Sequence, residues 1–203
     1  MLEAQLFARI IQNLHTMKLK AVFLDKDGTL IPDIPYNVDV NKVTLSEVVI
    51  EGLQTLQSHG YLLVIVSNQS GIEHGFFSEE QLNAVKERLS GMCLKMGIYL
   101  DGFYNCSNPD SEILLAAAGD MGIDLTRSWM IGDILNDVEA GNKAGCKSVL
   151  IHNGSETEWT PGENRIPEYF AKDLAEAAKY IVAATNVMSE GNNLKRKAKF
   201  AKA

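Results

Sequence analysis

Short apolar runs that alternate with helical patterns constrain the fold of this chain more than any other feature. Residues 21–24, 61–66 and 129–131 are continuous apolar runs, which are typical of strands buried on both faces of a parallel sheet. Weaker runs at residues 102–104 and 148–151 complete a set of candidate strands. Such strand and helix alternation predicts an α/β fold with a right-handed, doubly wound parallel sheet.

Amphipathic patterns predict the helices between these strands. Each predicted helix carries an apolar stripe at helical spacing. These helices cover residues 46–58, 112–121, 136–144 and 172–184, and a Ser78-x-x-Gln81 capping box opens one more. Residues 152–167 are predicted to form a loop. The expected organisation is an N-terminal amphipathic helix within residues 1–19, one domain over residues 20–185, and a basic, mobile tail at residues 186–203.

Composition excludes several functional classes. The formal net charge of −7 and the pI near 5.1 argue against nucleic-acid binding. The 3 cysteines are too few for a disulfide framework, and neither a membrane-length apolar run nor a secretion signal is present, so we expect a cytoplasmic protein. If such an acidic protein handles an anionic substrate, it needs local compensation by cations, a metal or backbone N–H groups.

An acidic turn follows the first apolar run directly. Asp25 and Asp27 point the same way by strand alternation, and Gly28 permits a tight departure of the backbone. Two carboxylates this close repel each other, and a divalent cation with oxygen ligands, such as Mg²⁺, relieves that repulsion. The alternative is a turn with solvated aspartates, because Asp and Gly are common turn residues.

A second acidic turn follows the apolar run at residues 129–131. Gly132 and Asp133 end this strand, and Asp137 lies one helical turn further on. If the two strands are neighbours, Asp133 completes an oxygen shell with the first pair and Asp137 braces the site. Helix capping and a favourable helix dipole explain the same acidic residues, and both explanations can hold together.

Between these turns, residues 64–71 form a strand that leads into small polar residues. Ser67 offers a hydroxyl, and the following backbone N–H groups are suited to hold a phosphate without positive charge. A plain polar loop explains this segment equally well when it is taken alone. Together with the two acidic strand ends, it predicts the third part of one site.

The three segments, in this order, resemble the motifs of the haloacid dehalogenase (HAD) superfamily of phosphotransferases. The resemblance extends over residues 22–151 and is nearest to the capless branch that contains heptose bisphosphate and histidinol phosphatases. It implies a HAD-like, Rossmann-type sheet without a sizeable cap domain. It also implies a Mg²⁺-dependent phosphatase of a sugar phosphate or similar small metabolite.

The resemblance further implies a role for each motif residue. Asp25 corresponds to the nucleophile that forms an aspartyl-phosphate, and Asp27 to the general acid and base. The implied magnesium ligands are Asp25, Asp27 through its backbone carbonyl, and Asp133, with Asp137 beside them. The implied substrate-binding residues are Asp33, Tyr36, Ser67, Asn68, Gln69, Ser70 and Asn108.

The chain departs from the family pattern after the strand at residues 102–104. The zinc-binding Cys/His loop of these relatives is shortened here and retains only Cys106, so we expect no structural zinc. Asn108 stands where the family has a lysine that contacts the phosphoryl group. Lys26, Lys143 and Lys147 are candidate substitutes, although alternation points Lys26 away from Asp25.

Two functions follow from this sequence. The first is a phosphatase acting through Asp25 on a small phosphorylated metabolite, with no nucleic-acid or membrane partner. The second is a catalytically weak or inactive relative that binds a phosphometabolite or a protein, which Asn108 favours. The N-terminal helix is expected either to pack on its own domain or to form a homodimer contact.

Overall fold

A six-stranded, fully parallel sheet forms the centre of the molecule. The computed structural model describes residues 18–68, 74–106, 110–154, 159–160 and 162–200, so the predicted N-terminal helix lies outside the described residues. The strands are β1 (Ala21–Asp25), β2 (Leu62–Asn68), β3 (Gly102–Cys106), β4 (Trp129–Gly132), β5 (Lys147–Ile151) and β6 (Tyr169–Ala171). Their order, β3-β2-β1-β4-β5-β6, confirms the predicted doubly wound α/β fold.

Five α-helices connect or follow these strands in the described part of the chain. They are α1 (Glu47–Ser58), α2 (Glu79–Lys95), α3 (Ser111–Met121), α4 (Leu135–Ala144) and α5 (Leu174–Phe200). Ser46 caps α1 by accepting the Val49 N–H, and the Ser78 and Gln81 capping box opens α2 as predicted. None of the described helices is both long and apolar enough to cross a membrane.

Alternation along the strands builds one core on each face of the sheet. In β1, Val22 and Leu24 face a cluster that contains Leu53 of α1, Leu89 of α2 and Ile181 of α5. The intervening residues of β1, Ala21 and Phe23, face the opposite cluster, to which α3 and α4 contribute Leu114, Ala117, Ala118, Ala140 and Ala144. Since β1 is covered on both faces, its continuous apolar pattern is explained.

The structure differs from the sequence prediction at the C-terminal end of the chain. Strand β6 was not predicted, because it is a three-residue edge strand in which Phe170 is exposed, so it lacks a buried apolar run. Helix α5 continues to Phe200, well beyond the helix predicted over residues 172–184, so residues 186–200 of the expected tail are helical. The mobility expected of this tail stays a prediction. Residues 194–199 of this segment are Leu, Lys, Arg and Ala, which favour helix, and residues 186–200 contain no proline.

Candidate active site

Strand pairing brings the two acidic turns and the Ser67 strand end to one edge of the sheet. In the register, Asp25 lies beside Val66 of β2, and Leu24 lies beside Ile131 of β4. The residues that follow these partners, Ser67 on one side and Gly132 and Asp133 on the other, therefore flank Asp25. Ligands of open α/β sheets bind at this carboxyl edge of the strands.

Three carboxylates from these turns form a compact cluster. Asp25, Asp133 and Asp137 each offer an oxygen, and these oxygens lie within 4.8 Å of one another. Asp133 and Asp137 are buried, with 4% and 3% of their surface exposed, so solvent contributes little to separating the charges. The close approach of Asp25 and Asp133 predicted from the two strand ends is present in the structure. Asp137 joins them in place of the Asp27 carboxylate, which was expected in the same shell and pairs with Lys26 instead.

The electrostatics of this cluster favour a bound cation. Removal from water raises the pKa of Asp25 well above its ordinary value, and the charges of Asp137, Asp133 and Asp27 raise it further. A cation shared by the three carboxylates would reverse this effect by stabilising their ionised forms. An all-oxygen set of carboxylates fits Mg²⁺, and the residues present therefore suit the metal implied by the sequence resemblance.

Two glycines make room for the carboxylates. Gly28 has a φ of +82°, and a Cβ added there would overlap the carboxylate of Asp133. A Cβ on Gly132 would overlap the side chain of Asp137 in the same way. Gly28 is thus required both by its backbone conformation and by the close approach of the Asp133 carboxylate, and Gly132 by the close approach of Asp137.

Backbone and amide N–H groups hold the carboxylates at the end of β4. The Ile134 N–H donates to Oδ2 of Asp137 at 3.4 Å, at the N-terminus of α4, where the helix dipole favours negative charge. Asn153 Nδ2 donates to the Gly28 carbonyl at 2.8 Å and to Oδ2 of Asp133 at 3.3 Å. Asn153 therefore connects the two acidic turns.

Sequence reasoning missed Asn153 because it lies within residues 152–167, which were predicted only as a loop. The available signal was its position two residues after the apolar run that forms β5. A polar residue at the end of a parallel strand reaches the same edge as the other strand ends.

An ammonium group holds the second carboxylate of the first acidic turn. Lys26 Nζ lies 2.9 Å from Oδ1 and 2.8 Å from Oδ2 of Asp27. Burial raises the pKa of Asp27, the charge and hydrogen bond of Lys26 lower it in part, and Asp33 raises it. The net rise suits a group that donates a proton near neutral pH.

The remaining predicted substrate residues are only partly covered by the structure. Ser67 is buried at the end of β2, and Asp33 lies close enough to Asp27 to affect its pKa. Tyr36 is exposed, has a left-handed φ of +54°, and packs on Phe76 with ring centroids 4.5 Å apart. The Asn68 side chain and the whole of Gln69, Ser70 and Asn108 lie outside the described residues.

The other two candidate lysines make ion pairs with residues outside the carboxylate cluster. Lys143 Nζ lies 2.7 Å from Glu139 on α4, and Lys147 Nζ lies 2.9 Å from Glu168. Of the three lysines proposed from the sequence, Lys26 is the one whose ammonium contacts an aspartate of the nucleophile loop.

Comparison with known proteins identifies relatives over most of the chain. A family model described as HAD-hydrolase-like matches residues 105–177. The D-glycero-beta-D-manno-heptose-1,7-bisphosphate 7-phosphatase of Pasteurella multocida (strain Pm70) is 35% identical over 179 residues, which cover 80% of this chain and 96% of that protein.

Solved structures show the same architecture. A HAD-like phosphatase from Mesorhizobium loti has a TM-score of 0.71 at 27% identity, with 83% of this chain and 87% of that chain covered. The D,D-heptose 1,7-bisphosphate phosphatase from B. bronchiseptica, solved in complex with magnesium and phosphate, has a TM-score of 0.69 at 23% identity, with 82% and 99% covered. At 23% identity, the similarity to the B. bronchiseptica structure shows a shared fold and no more.

Proposed function

The chain belongs to the HAD-like hydrolases, and on that premise we propose that it is a Mg²⁺-dependent sugar-phosphate phosphatase that acts through an aspartyl-phosphate on Asp25. Its relatives support the general activity, a phosphoric monoester hydrolase. The observation that carries the finer proposal is the cluster of Asp25, Asp133 and Asp137 at the carboxyl edge of the sheet, with Asp27 beside it.

In the first step, a carboxylate oxygen of Asp25 attacks phosphorus. The new bond joins this oxygen to phosphorus, and the bond between phosphorus and the sugar oxygen breaks. Asp27 donates its proton to the departing oxygen, which leaves as an alcohol. The raised pKa of Asp27 keeps this proton available, and the partly exposed carboxyl group is accessible to a substrate.

In the second step, water releases the phosphoryl group from Asp25. Asp27, now a carboxylate, takes a proton from the water, whose oxygen bonds to phosphorus while the aspartyl bond breaks. In this proposal, Ser67 and the backbone N–H groups after it donate hydrogen bonds to the phosphoryl oxygens. Fixed donors at these oxygens stabilise the transition state.

Asp25, Asp133 and Asp137 would hold Mg²⁺, with the Asp27 carbonyl as a further ligand. When bound, Mg²⁺ supplies positive charge that neutralises the phosphoryl group in the transition state. Asn153 orients Asp133, and Gly28 and Gly132 leave space for the ligand side chains.

The proposed substrate is a phosphorylated heptose, specifically the 7-phosphate of a heptose 1,7-bisphosphate. The Pasteurella relative is named for that activity and is matched over 96% of its length. The 7-phosphate is the ester of a primary alcohol, whose poor leaving group requires a proton donor such as Asp27.

The test is phosphate release from D-glycero-β-D-manno-heptose 1,7-bisphosphate, its α-anomer, histidinol phosphate and p-nitrophenyl phosphate, with and without Mg²⁺. We expect release from the heptose bisphosphate to require Mg²⁺. We also expect Asp25→Asn to lower kcat by ~10³-fold or more, because it removes the nucleophile.

Two matched measurements complete this test. Asp39→Asn, a substitution in the loop before α1, serves as a control that changes charge at an exposed position and is expected to retain activity. Acid-quenched wild-type enzyme should carry labelled phosphate on Asp25. Absence of turnover in the wild type, or full turnover in Asp25→Asn, would contradict the proposal and favour the inactive relative instead.

A further inference from the structure

A lysine side chain is buried next to the group that is proposed to transfer protons. Lys26 is 4% exposed, and its ammonium lies within 2.9 Å of both carboxylate oxygens of Asp27. Burying an ammonium costs free energy unless an opposite charge and hydrogen bonds compensate it. In its ionised form Asp27 supplies that compensation, and the Lys26 ammonium contacts both oxygens of its carboxylate.

The backbone around this pair is tightly hydrogen-bonded. The carbonyl of Lys26 accepts the N–H groups of Leu30 and Ile31 at 3.0 Å each, and the Gly28 N–H donates to the Ile31 carbonyl at 2.8 Å. Leu30 and Ile31 are themselves buried in the core. The turn that presents both Lys26 and Asp27 is thus attached to the folded domain.

The exposure of the two partners is unequal. The side chain of Lys26 is 5% exposed, whereas that of Asp27 is 33% exposed. The ammonium therefore lies on the protein side of the carboxylate, and part of the carboxylate stays accessible from the site. This is the arrangement expected when one residue orients another that must reach a substrate.

We propose that Lys26 is a positioning residue for Asp27, and that it orients the carboxyl group for proton transfer to the leaving oxygen and from the attacking water. This inference rests on the proposed function, in which Asp27 is the acid and base. Lys26 itself transfers no proton and forms no bond with the substrate. It thus differs from the family lysine that Asn108 replaces, which contacts the phosphoryl group.

A comparison of two substrates with different leaving groups distinguishes a role of Lys26 in positioning Asp27 from other roles of Lys26. Loss of the sugar oxygen from heptose 1,7-bisphosphate needs a proton, whereas p-nitrophenolate is a stable anion that departs without one. The ratio kcat/KM reports on steps up to release of this first product. A misplaced Asp27 should therefore lower kcat/KM for the heptose substrate and spare it for the aryl substrate.

The experiment compares Lys26→Met with the wild type on both substrates at saturating Mg²⁺. We expect kcat/KM to fall by about 10- to 100-fold for the heptose bisphosphate and to stay within about threefold for p-nitrophenyl phosphate. Because Asp27 also activates water, kcat for p-nitrophenyl phosphate should fall. Rapid mixing should then show a burst of p-nitrophenolate equal to the enzyme concentration.

Three further variants make the outcome specific. Lys26→Arg keeps a cation that can contact both carboxylate oxygens and is expected to restore most of the heptose activity. Lys143→Met removes the lysine paired with Glu139 and should leave both substrates unaffected. Lys26→Gln replaces Lys26→Met if the latter does not fold, as judged by thermal unfolding.

Asp27→Asn distinguishes failure of this inference from failure of the proposed function. If Asp27→Asn shows the leaving-group pattern and the Lys26 variants do not, the positioning role is wrong and the proposed function stands. Equal losses of kcat/KM on both substrates in Lys26→Met would also overturn the inference. If Asp27→Asn itself lacks the pattern, Asp27 is not the acid, and its proposed proton-transfer role fails together with the positioning role of Lys26.

Discussion

The two acidic strand ends of this protein stabilise their carboxylates by different means. At the end of β4, Asp133 and Asp137 accept N–H groups from Asn153 and Ile134, next to the N-terminus of α4. At the end of β1, Asp27 is held by the Lys26 ammonium, whereas Asp25 faces three like charges and accepts one backbone N–H, that of Lys26.

This difference corresponds to a division of chemical roles. Fixed dipoles hold a carboxylate in its ionised form and in one orientation, which suits a metal ligand. An ammonium on one side of a partly exposed carboxylate orients it while leaving it open to a reacting group. We therefore expect the β4 turn to contribute metal ligands alone, and the β1 turn to contribute the reacting groups as well as ligands.

The largest effects are expected from two separate variants, each of which replaces one aspartate of one turn by asparagine. Asp27→Asn should lower kcat for heptose bisphosphate by about 10²- to 10⁴-fold, because it removes the proton donor. Its Mg²⁺ affinity should change little, because the backbone carbonyl remains. Asp133→Asn should weaken Mg²⁺ binding by ~100-fold or more, since it removes a proposed metal ligand.

Calorimetric titration of Mg²⁺ and steady-state kinetics would measure both effects. Surface Asp124→Asn, which removes a capping carboxylate at residues 125–127, is the matched control for charge. Normal Mg²⁺ affinity in Asp133→Asn would remove the proposed distinction between the two turns.

The next effect tests the contact between the turns. Gly28→Ala and Gly60→Ala both place a Cβ at a positive φ, +82° and +72° respectively, which costs ~1 kcal/mol of stability. Only the Gly28 substitution meets another side chain, because no atom lies within 4 Å of a Cβ at Gly60. We expect Gly28→Ala to lower kcat/KM by ~100-fold beyond Gly60→Ala.

Kinetics at saturating Mg²⁺, with thermal unfolding of both variants, would check this prediction. Equal activity in the two variants would show that the approach of Asp133 to Gly28 does not matter for turnover.

A smaller effect concerns stability and its dependence on pH. Without Mg²⁺, the folded-state pKa of Asp25 lies above its ordinary value, chiefly because of burial. The stability that its protonation contributes is fully present below the ordinary pKa and is lost as pH rises through the folded-state pKa. Mg²⁺ should therefore stabilise the protein more at pH ~7.5 than at pH ~5.

At 100 times its Kd, Mg²⁺ should add about 2.7 kcal/mol at the higher pH, equivalent to several degrees in Tm. Thermal unfolding with Mg²⁺ or a chelator, at both pH values, would measure this difference. Asp25→Asn should reduce the difference in Mg²⁺ stabilisation between the two pH values. An equal Mg²⁺ effect at both pH values in the wild type would refute the prediction.

The smallest effect concerns the residue that joins the two turns. Asn153→Ala removes the hydrogen bonds to the Gly28 carbonyl and Asp133, and should weaken Mg²⁺ binding by about 10-fold. Asn41→Ala removes an exposed amide that bonds only locally to Asp39, and should leave Mg²⁺ affinity unchanged. Titration calorimetry on both variants tests whether Asn153 orients Asp133, the proposed metal ligand.

Much of this site was predictable because strand ends carry a local signal. The apolar runs before Asp25 and Asp133 marked two buried strands, and parallel strands direct their carboxyl ends to a common edge. The close approach of Asp25, Asp133 and Asp137 confirms that reasoning. Lys26 was harder to place, because β1 ends at Asp25 and strand alternation no longer determines where the next side chain points.

The sequence by itself determined most of the strands and helices, where the acidic turns lie, and which family the motifs resemble. These properties depend on periodicity and on neighbouring residues. Only the tertiary structure decided that β1 lies between β2 and β4, that Lys26 pairs with Asp27, and that Asn153 bonds to both turns. Those contacts depend on strand order and on the burial of charge, which no local pattern encodes.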